Sequence, residues 1–275
     1  MTARISVIAA LALAALAAAP ASPAASDPSA GPSSPAQWAA LAGLPDWGGV
    51  WTSDLADQVA QFDKVPPAWT PAAARRAAQM QADDEAGHPH NFYLNCLPEG
   101  MPGYMLITRN AFEVLFTPGR VTILGEMDGN RLRRIYTDGR AHPDDPDLTF
   151  HGHSIGRWEG DALVVDTIGL LPENVLPVSQ SVGVPNDGDM HIVERIHLAA
   201  PDELHDDLEI TAPHVLATPW KTTRIFRRHR GGPGDEIVEA SCRQGDFNEA
   251  RDADGFAVFV PRAHDEGGAP LATVP

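Results

Sequence analysis

The sequence predicts a mainly β protein, an antiparallel up-and-down barrel or a strongly curved sheet, with short N-terminal helices. Three observations carry this. From residue 111 onward, short runs rich in β-branched and aromatic residues follow one another, as in Phe112–Thr117, Ala162–Ile168 and Met190–Leu198. Turn pairs such as Pro118-Gly119, Asp138-Gly139 and Gly160-Asp161 separate them. No segment among these runs has the helical periodicity that parallel crossovers need, so antiparallel pairing in chain order is expected. Eight or more such strands tend to close, giving a barrel of the lipocalin (calycin-like) kind.

Taken in order, residues 1–25 read as a secretory leader. Arg4 supplies a positive start, Ile5 to Ala19 an apolar core, and small residues a cleavage region. The apolar run is short for a membrane span, which needs roughly 20 residues. Export to the periplasm or medium is therefore expected, with no membrane contact once the leader is gone. Residues 26–35, all Ser, Pro, Ala, Gly and one Asp, read as a disordered linker.

Residues 36–110 form an expected helical and loop segment packed on the barrel. Ser34-Pro35 and Thr70-Pro71 each pair an N-cap with a first-turn proline, and Gly43 and Gly87 stop the helices. Residues 54–69 read as irregular. A short strand enters at Trp47-Gly-Gly-Val-Trp51. Residues 111–250 are the barrel, with a last strand over Glu236–Cys242, and residues 251–275 an irregular tail.

The chain has 275 residues and a formal net charge of −17, which disfavours nucleic acid as a partner because phosphate binding needs clustered cations. There is no glycine-rich phosphate or dinucleotide loop, so no cofactor is expected. Oligomeric state is not legible. The two cysteines, Cys96 and Cys242, would pair in an oxidising compartment.

The central hairpin, His153–Ile168 around Glu159-Gly160-Asp161, is the strongest local signal. Side chains alternate along a strand, so polar residues on apolar faces mark candidate sites. Glu194 lies among Met190, Ile192, Ile196 and Leu198. Asp166 lies between Val164 and Ile168. Arg134 and Tyr136 share a face with Leu132, and Arg224 or Arg227 projects from the strand after Trp220. These predict one buried polar cluster, in which carboxylate pKa values can be tuned for acid–base work. His153 and Glu194 are the candidate bases, with Tyr136 and Arg134 stabilising negative charge. Asp166, Arg224, Trp220 and His191 are candidate substrate-binding residues. His151 and His153, two apart, raise a metal alternative. Gly152-His153-Ser154-Ile155-Gly156 lacks the strand-to-helix context of a nucleophile elbow.

The runs Glu113–Arg120, Arg133–Arg140 and Gly152–Asp161, continued by Val164-Val-Asp-Thr167, resemble a family of exported soil-bacterial β-proteins with no assigned reaction. His191 to Arg195, Pro219-Trp220 and Cys242 extend the resemblance, though His151 stands where such proteins carry an apolar or aromatic residue. The resemblance implies a small, aromatic, plant-derived ligand. The expected function is thus a cofactor-independent lyase or isomerase acting on a small, largely apolar molecule bound in the barrel. The alternatives are a non-catalytic small-molecule-binding barrel, a filled barrel serving as an interaction module, and a metal-dependent hydrolase using His151 and His153.

Overall fold

A computed structural model describes residues 33–87, 97–106, 111–178, 182–230, 235–240, 247–251 and 257–261. The leader, most of the linker, the tail beyond 261 and both cysteines lie outside these residues, and with them the leader and disulfide expectations. No helix among the described residues is long and apolar enough to cross a membrane.

The fold is mainly β. The wall is made by β1 (Val50–Ser53), β2 (Phe112–Thr117), β3 (Arg120–Gly125), β4 (Leu132–Tyr136), β5 (His153–Glu159) and β6 (Ala162–Ile168). It is completed by β9 (His191–Ala200), β10 (Glu203–Thr211) and β11 (Trp220–Arg228). These nine strands form a closed barrel in the order β1-β11-β10-β9-β6-β5-β4-β3-β2, with β1 pairing β2. A small hairpin, β7 (Val175–Pro177) with β8 (Gly183–Pro185), sits in the segment between β6 and β9. A further pair, β12 (Phe247–Arg251) with β13 (Ala257–Pro261), is separate from the wall.

Closed antiparallel pairing throughout requires an even number of strands, so a nine-strand ring needs a parallel step. That step is β4 beside β5. The connection across residues 137–152 is long enough for such a crossover. Purely antiparallel pairing is therefore corrected at this one place, and it is this loop that matters for the site below.

The N-terminal segment does more than pack on the barrel. β1 is part of the wall, and it pairs with β11 only at Arg228, Arg227 and Phe226. Where β1 stops, α2 (Leu55–Lys64) takes over along β11, N-capped by the Asp54 carboxylate. The Asp54 amide bonds Ile225 O at 2.8 Å, and Trp220 Nε1 bonds Val65 O at 2.7 Å. A helix thus occupies residues expected to be irregular. α1 (Pro35–Ala40) carries the full reciprocal cap between Ser34 and Gln37, and α3 (Pro71–Glu85) starts at the Thr70 cap as expected. α5 (Met127–Asn130) is a single turn. Residues 237–240 are not a strand, contrary to expectation.

The barrel interior is packed. Trp51, Phe112, Val121, Ile135, Leu163, Val165, Ile192, Ile196, Leu204 and Phe226 form its apolar lining, each almost fully buried. α4 (Gly103–Leu106) inserts as a plug: Leu106 O accepts from Arg224 Nε at 3.1 Å and from Gln58 Nε2. A Cβ on Gly125 would lie 2.4 Å from the Tyr104 hydroxyl, so only glycine lets the plug approach β3.

Gly152 decides how β5 begins. Its φ of +66° is left-handed, and a Cβ there would lie 2.5 Å from the Ile168 carbonyl oxygen. Gly152→Ala is expected to destabilise by about 2 kcal/mol or more, because the left-handed penalty and the clash with backbone add. Urea unfolding would test this; a variant as stable as the parent would refute it.

Candidate active site

The barrel wall separates the predicted cluster into two. Inside, β4 presents Arg133 and Ile135, while Arg134 is exposed and Tyr136 faces outward. This reverses the expected face of β4. The residue that meets Glu194 is Arg133: Nη1 bonds Glu194 Oε1 at 2.8 Å, and Nη2 bonds Oε2. Arg133 Nη2 also reaches Thr167 Oγ1 at 3.2 Å, and Ser154 and Thr167 hydroxyls bond each other at 2.8 Å. Glu194 is fully buried and committed to this fork, which removes it as a base for an outside substrate.

Asp206 lies on the same interior face, a diagonal neighbour of Glu194 across β9 and β10. Neither of its oxygens receives a bond from a protein donor, yet its carboxyl is within hydrogen-bond reach of Glu194. Two carboxyl groups can bond only when one carries the proton. Burial first, then the Glu194 charge, holds the Asp206 pKa well above the usual range, so Asp206 is the neutral donor. Arg224 is interior too, bonded to Leu106 O and Thr222 Oγ1, and burial pulls its pKa down to about 10. Arg227 instead projects outward to Asp54 and Glu203. Trp220 is buried against α2 rather than open to a ligand.

Outside, four of the predicted residues do come together. His153, Tyr136, Asp166 and His191 meet on the outer wall, joined by His142 from the β4–β5 crossover. His142 Nδ1 lies 2.8 Å from His153 Nδ1, and His142 Nε2 lies 3.0 Å from Asp166 Oδ1. His191 Nε2 reaches the same Asp166 oxygen at 3.0 Å. Tyr136 stacks on His153 with ring centres 5.4 Å apart, and the Arg140 guanidinium lies 3.9 Å from the Tyr136 ring centre. Arg140 is anchored by Asp138, at 2.6 Å for the closest pair, and this pairing lowers the Asp138 pKa against its partial burial.

With both imidazoles of the chain neutral, the hydrogen bonds admit one set of tautomers. A carboxylate only accepts, so His142 and His191 must each donate from Nε2. Neutral His142 then has its lone pair on Nδ1 and accepts from His153 Nδ1–H. That leaves the His153 Nε2 lone pair as the free end of a relay, Asp166–His142–His153. Burial, with the nearby His142 and Arg140, lowers the His153 pKa below 6.5, so the imidazole is neutral at ordinary pH. Asp166 stays partly open, its side chain 35 % exposed, as does His191 at 42 %.

His151 does not join this group. It packs edge-on against Tyr104 with ring centres 5.1 Å apart, and both of its ring nitrogens are shielded without a protein partner. Burial, then Arg133 and Arg131, lowers its pKa to about 4. The turn at Gly152 sends His151 and His153 to different surroundings, so the metal site that was the alternative reading of those two is not formed. Among the described residues, no group of three or more His, Cys, Asp or Glu is arranged to hold a metal ion.

Sequence reasoning missed His142, Arg133 and Asp206. Asp206 carried a usable signal, since it lies on one face with Leu204, Leu208 and Ile210, the same pattern that singled out Glu194. No family model matches the sequence, and no curated protein matches it.

Proposed function

We propose that the protein is an acid–base catalyst, a lyase or isomerase, working at the outer-wall histidine relay on a small, largely apolar molecule. The carrying observation is the chain Asp166–His142–His153, which leaves one imidazole neutral with a free lone pair on Nε2. His153 Nε2 would take a proton from the substrate. The resulting imidazolium is stabilised through His142 by the partly open Asp166 carboxylate, as a carboxylate orients a catalytic histidine. Arg140, held beside Tyr136, supplies positive charge near the developing anion. None of these steps calls on a group beyond the chain's own side chains. The leader supports export, and in that compartment Cys96 and Cys242 would pair.

The test is proton exchange in deuterium oxide. Small neutral carbonyl and phenolic compounds are incubated with the protein, and deuterium incorporation is followed by NMR. Wild type is expected to exchange a C–H site, and His153→Ala to lose at least about a hundredfold. The rate should fall as pH drops through a pKa below 6.5, because the base must be neutral. Equal rates in wild type and His153→Ala would remove the relay from the mechanism.

A further inference from the structure

A trough of about 530 Å³ runs over the outer wall beside the relay, within the size range of small-molecule sites. It crosses β5, β6, β9, β10 and β11, and Gln61 and Val65 of α2 form one bank. Its apolar floor adjoins the histidine cluster across the sheet, although no residue of that cluster lines it. Val193 is the cross-strand partner of Asp166, and Val164 lies two residues from Asp166 on the same face. On such a sheet these side chains stand within roughly 5 to 7 Å of the carboxylate.

The walls carry three cations and four carboxylates. Glu194 is turned inward to Arg133, and the other charges pair within the trough or with its hydroxyl. Glu159 takes Arg157 and Arg195, each at 2.8 Å. Lys221 meets Glu209 at 3.0 Å, and Thr223 Oγ1 donates to Asp207 at 2.6 Å. A charged ligand would have to break one of these pairs or bring an unmatched charge onto the valines. An uncharged ligand with an apolar body and hydrogen-bonding edges displaces only water.

We infer that this trough, floored by Val164 and Val193 and walled by self-paired charges, binds a small uncharged molecule. That this molecule is the relay's substrate rests on the acid–base reading above; the binding itself does not.

The experiment uses the full chain and two fluorescent probes, neutral N-phenyl-1-naphthylamine and anionic 8-anilinonaphthalene-1-sulfonate. The neutral probe is expected to bind saturably and at least several-fold more tightly than the anionic one. Val193→Arg places an unmatched charge on the floor and should weaken the neutral probe by about tenfold or more. Val193→Thr, which cannot disturb the fold through charge, should weaken it less. Absence of saturable binding, equal or tighter binding of the anion, or wild-type affinity in Val193→Arg would each overturn the proposal. Probe binding without proton exchange would instead remove the relay reading and leave the trough.

Discussion

Replacing Arg133 by Met is expected to cost about 3 to 5 kcal/mol of stability, the range for removing one partner of a buried ion pair. Arg133 and Glu194 are both fully buried, and both guanidinium ends are spent on this carboxylate and on Thr167. Methionine roughly matches the volume but leaves Glu194 beside Asp206 with no cation bonded to it. The double variant Arg133→Met/Glu194→Leu should recover much of the loss, because replacing both partners by apolar groups is often neutral. Urea unfolding of the two variants at pH 7 checks this. A single variant within 1 kcal/mol of wild type would mean that the pair is solvated in the working state.

The ion pair also explains what local sequence could and could not reveal. Alternation placed Glu194 inside because four apolar residues share its face over a ten-residue strand. β4 has only five residues, Leu-Arg-Arg-Ile-Tyr, and its two phases differ by one apolar side chain. Counting favoured Leu132 and Tyr136, yet Leu132 is exposed and Arg133 is buried. A one-residue shift flips every side chain, and what fixes the shift is Glu194, 61 residues away across the barrel. The outer cluster shows the same limit. Tyr136 and Asp166 were identifiable, but as members of an interior group, and His153 and His191 only as separate candidates. His142 sits in a proline- and aspartate-rich loop without periodicity, and only the parallel β4–β5 step carries it onto the wall. The parallel step follows from an odd strand number, and that number depends on β1 joining from 60 residues upstream of β2. The packed interior, filled by α4 and by the Arg133 network, also shifts the search for a ligand site from the barrel's axis to its outer face.

Asp206→Asn should become progressively more stable than wild type as pH rises. The folded pKa of Asp206 is raised by burial and by the Glu194 charge, whereas the unfolded value is about 3.9. Below the unfolded value the proton is bound in both states and no difference arises. Between the two pKa values the folded state holds a proton that the unfolded state has released. Stability then falls by about 1.4 kcal/mol per pH unit for this one group, and levels off above the folded pKa. Asparagine removes the titration but keeps a donor toward Glu194, so the variant lacks this slope. The facing groups are Glu194 and Arg133 across the interior and Arg224, the β11 partner of Asp206. All three remain in the variant, so their own titrations largely cancel in the difference between the two proteins. Unfolding free energies measured from pH 4 to 8 should therefore diverge above about pH 4 until the folded pKa of Asp206 is passed. Parallel curves would mean that Asp206 is ionised in the folded protein. In that case a second anion would lie beside Glu194 inside the barrel, and Arg133 with Arg224 would have to neutralise both.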